Sequence, residues 1–331
     1  MCRYVINRRR FLRKSSMVGA GALAALSLEE KALLAAQESG RSRQPDSSMT
    51  CPSGKIGNVT IGRLICGGNL IGGYAHSRDL VYVSDLLKAY FTEDRVLETF
   101  RLCEENSVNT VVLYTGPSRH VDTHKILDRY WNEWGGKIQW LAQINPSEED
   151  PTASAQEAID NGAIGAFILG NVGDEWVRSG RIDLIEKVIS HIKKNGLIAG
   201  VAGHNINVPI QCEKAGIDPD FYMKTLHSTD YWSSRRPDQE KDVIDNYSVD
   251  NYWDKYPEKT IDFMKTLKKP WIAYKVLAAG AIRPNEGFEY AFNNGADFLC
   301  VGMYDFQIRE DVIVARNAVS QSQSRERPWM G

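Results

Sequence analysis

The stretch IDLIEKVISHIKKNGLIAGVA, residues 182–202, indicates the fold class. Its first half carries apolar residues at helical spacing with charged residues between them, which predicts an amphipathic helix. Asn195-Gly196 then ends the helix, because glycine adopts the left-handed conformation without a steric penalty. The run that follows is apolar on both faces, as in a parallel strand covered by helices. The stretch therefore predicts an α/β fold.

The same alternation continues along the chain from residue 56 to residue 320. Apolar runs predict eight strands at 61–67, 110–114, 138–144, 165–169, 198–202, 221–226, 271–277 and 298–302. Amphipathic segments predict helices at 93–106, 122–134, 153–161, 182–194, 208–215, 257–267, 286–293 and 309–320. Eight strands each followed by a helix close naturally into a barrel. We predict a single-domain TIM (β/α)8 barrel over residues 56–322 with a C-terminal tail at 323–331; an open, doubly wound sheet is the alternative.

Residues 1–38 have the composition of an export signal. Arg8-Arg9-Arg10-Phe11-Leu12 lies in a basic segment without acidic residues, and an apolar run follows at 17–28. That run has roughly half the ~20 residues needed to cross a bilayer, so we expect no stable membrane anchor. The basic segment resembles the twin-arginine motif, which implies the twin-arginine export machinery as a partner and a periplasmic or extracellular location. A basic arm on a cytosolic protein is the alternative.

The overall composition argues against other classes of partner. The chain of 331 residues is 43% apolar and 25% charged with a formal net charge of −2, so nothing in it indicates nucleic-acid binding. Residues 39–55 are rich in Ser, Arg, Gln and Asp and predict a polar linker. The six cysteines form no Cys-x-x-Cys pair, so we expect no disulfide framework and no zinc site of the usual spacing.

Two predicted loops, 69–92 and 227–255, are longer than usual barrel connections and carry aromatic residues. Both follow strands, so both lie at the C-terminal mouth, where barrel enzymes build their sites. Rings with a hydrogen-bonding edge suit sugars and other polyols. We therefore expect a small polar, carbohydrate-like substrate; loops that fold as a lid and pack among themselves are an alternative compatible with this. The substrate-binding residues that we predict are Asn69, His76, Tyr114, Lys224, Tyr231 and Trp232.

A second polar set falls at the ends of later strands. His204 ends the fifth strand, His227 follows the sixth, Lys275 lies in the seventh and Asp305 follows the eighth. A lysine of depressed pKa at a barrel mouth serves as a base or forms a Schiff base. The other three side chains could bind one divalent metal ion. We predict all four as catalytic in isomerase, lyase or hydrolase chemistry; hydrogen-bonded structural histidines, and Lys275 paired with Asp305 or Glu286, are the alternatives.

Four segments resemble the aldo/keto reductase superfamily: IGRLICGG at 61–68, EENSVN at 104–109, YKVLAAG at 274–280 and VGM at 301–303. The resemblance implies a reductase-like barrel and, as an alternative function, an NAD(P)-dependent oxidoreductase. The loop after the seventh strand is where many barrels bind phosphate, so Gly280 and Arg283 are the predicted cofactor contacts. A non-catalytic barrel that binds a ligand is the third hypothesis. The family's catalytic tetrad is not matched, since its positions fall on Val112, Pro117, Gln143 and Gly170 or Asn171.

Replacing Arg8, Arg9 and Arg10 with lysine should retain the precursor in the cytoplasm. An ammonium does not reproduce the planar guanidinium fork that a receptor can bind. Cell fractionation measures the outcome, with Arg13→Lys as a matched control that leaves the paired arginines in place. Unchanged export of the triple variant would contradict the assignment.

Overall fold

Eight parallel strands form a closed barrel in the computed structural model, which describes residues 50–77, 80–116, 120–236, 245 and 250–331. Two described strands precede the barrel, β1 (Ser53–Ile56) and β2 (Val59–Gly62). The barrel strands are β3 (Leu64–Gly67), β4 (Thr110–Tyr114), β5 (Gln139–Ile144), β6 (Gly165–Ile168), β7 (Ile198–Gly203), β8 (Phe221–Thr225), β9 (Trp271–Tyr274) and β10 (Phe298–Val301). Strands β3 to β10 follow one another around the barrel, and β10 closes it by pairing with β3. The predicted TIM (β/α)8 barrel is confirmed.

Helices cover the outside of the barrel. Those that the structure describes are α1 (Tyr82–Tyr90), α2 (Glu93–Glu105), α3 (Thr123–Asn132), α4 (Ala153–Asp160), α5 (Gly170–Arg178), α6 (Ile182–Lys194), α7 (Asn207–Lys214), α8 (Pro257–Thr266), α9 (Pro284–Asn293) and α10 (Ile308–Gln321). Helix α6 has the predicted bounds, and its apolar face is buried because Leu184, Ile185 and Ile192 point at the barrel. In the described part of the chain, no helix has both the length and the apolar character to cross a membrane. The predicted export signal lies outside the described residues.

A hairpin that the sequence analysis missed packs under the barrel. Strands β1 and β2 are antiparallel, so the predicted strand 61–67 was wrong in joining the end of β2 to β3. Ile56 and Ile61 of the hairpin are fully buried and pack with Ile198 and Phe298, which begin β7 and β10. The hairpin therefore covers the N-terminal end of the barrel. Burying each isoleucine contributes roughly 1.5–3 kcal/mol.

Helices α1 and α5 were also missed. Helix α5 begins directly after β6 with the sequence GNVG, in which two glycines weaken the helical signal. It packs against β7 and brings Asp174 to the C-terminal mouth. Helix α1 lies in the long loop after β3, which the sequence had indicated as irregular. Helices α1 and α5 are therefore additional to the eight helices of a regular barrel.

Strand β9 ends earlier than the apolar run predicts. The predicted strand continued to residue 277, but the strand stops at Tyr274. Lys275 has a φ of 57°, in the left-handed region that residues with a Cβ seldom adopt. Ala278 and Ala279 share this conformation with φ values of 45° and 55°. Such backbone costs about 1–2 kcal/mol per residue, and strain of this kind concentrates at functional sites.

Asp297 attaches residues 325–331 to the N-terminal end of the barrel. Its fully buried carboxylate accepts hydrogen bonds from Arg325 Nη2 at 2.8 Å and from Arg327 Nη1 at 2.6 Å. The backbone amides of Trp271 and Met330 each donate to the same carboxylate at 2.9 Å. Burial lowers the pKa of Arg325 to about 10, although Asp297 opposes the shift. One carboxylate thus joins the start of β9, the start of β10 and the end of the chain.

Replacing Asp297 with asparagine should lower the free energy of unfolding by about 3–5 kcal/mol, because it leaves two buried guanidinium groups without their counter-charge. Denaturant-induced unfolding followed by circular dichroism measures the change. Asp183→Asn is the matched control, since Asp183 pairs with Arg181 in solvent and the same substitution there should change stability little. A decrease in the free energy of unfolding of Asp297→Asn as small as that of Asp183→Asn would show that the Asp297 cluster contributes little to stability.

Candidate active site

Lys275 lies at the C-terminal mouth, directly after β9. Its Nζ is 2.7 Å from Nε2 of His76 and 4.1 Å from the ring centroid of Trp253. Within the described ranges it forms no salt bridge with a carboxylate, and neither Asp305 nor Glu286 is its partner. Burial lowers the pKa of Lys275 from its ordinary value to about 7. A sizeable fraction of this side chain is therefore a neutral amine at neutral pH.

His76 reaches the amine from the loop after β3. Asn69 Nδ2 lies 3.4 Å from His76 Nε2, the same atom that Lys275 contacts. When Lys275 is protonated, it and the asparagine amide nitrogen are both donors, so His76 Nε2 accepts and Nδ1 carries the imidazole proton. The structure thus brings together three residues that the sequence analysis selected separately, Asn69, His76 and Lys275.

Tyr274 precedes Lys275 and points into the mouth. Its hydroxyl is buried and, within the described part of the chain, has no hydrogen-bond partner. Burial raises the pKa of Tyr274 well above its ordinary value, so the phenol keeps its proton. A Cβ at Gly170 would lie 2.4 Å from this hydroxyl and 3.0 Å from His204 Cε1. Glycine at this position lets the phenol approach the imidazole.

His204 forms a buried pair with Asp174. Its Nδ1 lies 2.8 Å from Asp174 Oδ2, and the backbone amides of His204 and Asn205 donate to the same carboxylate at 3.0 and 2.9 Å. The contact places the proton on Nδ1 and the lone pair on Nε2. Burial lowers the pKa of His204, although Asp174 opposes the shift, so the imidazole is neutral near pH 7. This arrangement suits a general base.

A cavity of about 650 Å³ opens beside this pair. Asp174, His204 and Asn205 line one wall, and Trp253 with Asp254 lines another. Lys275 and Tyr274 do not line it. Trp253, which lines the cavity, also lies against the amine, and His76 packs edge-on against its ring at 4.8 Å between ring centroids.

His227 is held at the mouth by hydrogen bonds to the backbone. Its Nε2 accepts hydrogen bonds from the backbone amides of Trp253 and Asp254 at 2.9 and 3.1 Å, and its Nδ1 donates to Ser228 O at 2.9 Å. Burial lowers the pKa of His227, which keeps it neutral. Both ring nitrogens are thus bound to backbone. The prediction of His227 as a catalytic residue or metal ligand does not account for these contacts, whereas the alternative of a hydrogen-bonded histidine does.

Asp305 pairs with residues other than the predicted catalytic ones. Its carboxylate accepts from Arg95 Nη1 at 2.6 Å and from the hydroxyl of Tyr90, side chains at the start of α2 and the end of α1. The structure therefore does not bring Asp305 together with His204 and His227. Within the described ranges, no group of three or more His, Cys, Asp or Glu side chains is placed to bind a metal ion.

The other predicted contacts are divided between the mouth and its edge. Lys224 is fully buried in β8, where Nζ donates to the backbone oxygen of Thr225 at 2.8 Å and lies 3.5 Å from Asp254 Oδ2. The ring of Tyr114 lies at the mouth, 5.1 Å from that of Tyr74. Tyr231 donates to Asn251 O at 2.8 Å, Trp232 is exposed, and Gly280 and Arg283 are exposed after β9.

Three residues of this site were not selected from the sequence. Asp174 lies in the unpredicted helix α5, and Trp253 is one of the aromatic residues of the predicted loop 227–255 that were not singled out. Tyr274 was quoted only as part of the segment that resembles the reductases. The one sequence signal for Tyr274 was its position beside Lys275 at a strand end.

No family model matches the chain, and no curated protein matches it. Solved structures do share its fold. A protein of Pseudomonas aeruginosa that is provisionally designated an aldo-keto reductase gives a TM-score of 0.55 at 13% identity, over 84% of this chain and 98% of its own. A second structure with the same designation and organism gives 0.56 at 14% identity, over 84% and 99%. At this identity the likeness shows that the chain shares the barrel fold of these proteins.

Replacing Lys275 with methionine should stabilise the protein, and most strongly at low pH. The folded pKa of about 7 is below the ordinary value of 10.5, so between these values the unfolded chain binds more protons and stability rises with pH. The advantage of the variant is therefore full below pH 7 and shrinks as the pH rises towards 10.5. Urea unfolding at about pH 6 and about pH 9 tests the trend.

Lys268→Met, at an exposed lysine, is the control and should show no such trend. An advantage of Lys275→Met that is constant with pH, or a loss of stability at every pH, would contradict the depressed pKa.

Proposed function

We propose that the barrel mouth is an active site in which the Lys275 amine attacks the carbonyl carbon of a small polar, carbohydrate-like substrate. The observation that carries this proposal is the amine itself, half-buried against Trp253 and His76 without a carboxylate in salt-bridge contact in the described ranges. A lysine kept for structure would need a carboxylate to offset its desolvation. Lys224 in the neighbouring strand has one, Asp254.

Formation of the iminium ion requires two protons on the substrate oxygen, one from an acid and one from the amine nitrogen. The neutral amine forms a C–N bond and the carbonyl π electrons move to oxygen; that oxygen takes both protons and leaves as water while the nitrogen lone pair forms the C=N bond. We assign the first protonation of the oxygen to Tyr274, whose buried phenol stays protonated. To His204, neutral and oriented by Asp174, we assign the transfer of the nitrogen's proton to the leaving oxygen. The phenol then regains its proton from water.

An iminium ion withdraws electrons from the neighbouring carbon. It therefore acidifies a C–H bond or weakens a C–C bond at that position, which are the steps of an isomerase or a lyase. This favours those two classes over a hydrolase. Lys275 does not line the 650 Å³ cavity, whereas Trp253 lines it and contacts the amine, so we propose that the substrate displaces this ring to reach Lys275.

We also propose that the protein acts outside the cytoplasm, on the basis of the twin-arginine segment alone.

A second candidate is carbonyl reduction with NAD(P). The observation that favours it is the Tyr274 phenol beside Lys275, because an acid supported by a cation can protonate a developing alkoxide. Gly280 and Arg283 lie exposed between β9 and α9 and could contact the phosphates of such a cofactor. The cofactor would supply hydride. Quenching of tryptophan fluorescence by NADPH distinguishes this candidate, since the amine-dependent proposal predicts no saturable binding.

Reductive trapping tests the proposed amine chemistry. Incubation with D-glyceraldehyde or dihydroxyacetone and cyanoborohydride near pH 7 should label Lys275 faster than any exposed lysine, with a mass increase equal to the substrate minus one oxygen atom. Peptide mass spectrometry locates the label. The trapping rate should rise with pH through about 7, where Lys275 loses its proton.

Matched controls separate this reaction from general glycation. Lys275→Met should abolish the fast label and leave labelling of exposed lysines unchanged, whereas Lys224→Met, which removes the buried lysine paired with Asp254, should keep it. A Lys275 that is labelled no faster than exposed Lys268 would overturn the proposal.

A further inference from the structure

Trp253 belongs to a short segment without regular secondary structure, residues 251–254, which we call the strap. The strap precedes helix α8 and lies at the mouth, since Trp253 contacts Lys275 after β9 and His76 after β3. All four of its residues are buried. Buried backbone N–H and C=O groups outside a helix or sheet need partners from elsewhere in the protein. The side chains that provide these partners therefore help to determine where the strap lies.

His227 provides the acceptor for two successive amides of the strap. Its Nε2 accepts from the N–H of Trp253 at 2.9 Å and from the N–H of Asp254 at 3.1 Å. Its Nδ1 donates to the carbonyl oxygen of Ser228 at 2.9 Å, so the lone pair is on Nε2 and faces the strap. His227 is buried and follows β8 by two residues, which places this acceptor on the rigid barrel. The two hydrogen bonds therefore attach the strap to the end of β8.

The ring of Trp253 is packed against neighbours from two loops. Lys275 Nζ lies 4.1 Å from its centroid, and the His76 ring lies 4.8 Å away between centroids. The indole also forms a buried cluster with Ala278 and Ile282, which follow β9. Rotation of the side chain alone would have to move the ring through these closely packed neighbours. We therefore expect the ring to leave the amine together with the strap, which breaks both hydrogen bonds to His227.

We propose that His227 is a positioning residue whose imidazole keeps the strap closed and the ring of Trp253 against Lys275. It acts through the backbone of Trp253. The inference rests on the proposed function only in taking the covered amine as the group that attacks the substrate. On that basis the strap selects carbonyl compounds by size. Because Lys275 is half-buried, a small compound reaches its amine past the ring, whereas a larger one needs an open strap.

Hydrogen exchange at the strap tests the positioning role independently of the amine chemistry. In the parent protein one opening event should release both amides, so those of Trp253 and Asp254 should be equally protected after correction for their intrinsic exchange rates. His227→Leu removes the acceptor and should lower their protection roughly tenfold or more, because a buried donor without a partner shifts an equilibrium by that factor. His227→Gln places a carbonyl oxygen near the position of Nε2 and should restore most of the protection. The amide of Trp271, which donates to Asp297, is the internal reference and should not change.

Reductive trapping of Lys275 then tests the selection by size. Formaldehyde and D-glyceraldehyde are compared, each as the trapping rate in a variant divided by the rate in the parent. A change in the pKa of Lys275 alters both values alike and cancels when the value for D-glyceraldehyde is divided by that for formaldehyde. His227→Leu should raise this quotient about tenfold, in step with the loss of protection, and His227→Gln should leave it unchanged. His191→Leu, at a histidine of helix α6, is the matched control and should alter neither the exchange at the strap nor the quotient.

The outcomes separate this inference from the proposed function. Unequal protection of the two strap amides in the parent, or unchanged protection in a folded His227→Leu variant, would overturn the positioning role. The measurement on the parent stays decisive if that variant does not fold. Trapping of Lys275 with the same quotient in every variant would support the amine chemistry and overturn the role of His227. Lower protection of the strap without trapping of Lys275 in any variant would support the positioning of Trp253 and defeat the amine chemistry.

Discussion

The barrel depends on one buried carboxylate, that of Asp297. A closed parallel barrel must join its last strand to its first, and here β10 and β3 share a ladder of only three residue pairs. Arg63 reinforces this junction from the start of β3, donating to Asp297 O and to Gly331 O at 2.8 Å each. Its guanidinium also lies 4.1 Å from the ring centroid of Trp329, which packs on Arg325 from the other side. Each partner is buried, so loss of the carboxylate would leave the cations out of contact with water and without a counter-charge. The free energy of unfolding would therefore fall.

Cationic side chains at the two ends of the barrel have different neighbours. At the N-terminal end the guanidinium groups of Arg325 and Arg327 donate to a carboxylate and to backbone carbonyl groups, which compensate their burial and help to close the barrel. At the mouth, Lys275 meets an imidazole and an indole, so desolvation is not compensated and its pKa falls to about 7. The first arrangement stabilises the fold, whereas the second costs stability and leaves an amine that is partly neutral at neutral pH. This contrast is the physical basis of our proposal that Lys275 is the reactive group.

The sequence located the mouth better than it assigned roles within it. Strand ends identified His204, His227, Lys275 and Asp305, but residue type and position do not state which hydrogen-bond partners a side chain finds. His227 binds the backbone of the turn at Trp253, and Asp305 pairs with residues that are more than 200 positions earlier in the chain. Neither contact has a local signal. The pairing of His204 with Asp174 was equally invisible, because it depends on a helix whose glycine-rich start hides it.

The sequence by itself determined the repeated strand–helix order, the barrel that follows from it and the amphipathic faces, since these are properties of local periodicity. The strand Thr110–Tyr114 and the helix Ile182–Lys194 were predicted to the residue. The tertiary structure alone decided where β9 ends, because the left-handed turn at Lys275 is imposed by its surroundings against the preference of a residue with a Cβ. It alone decided the charge state of that lysine as well, since a pKa depends on which groups surround the nitrogen in space and how much water they exclude.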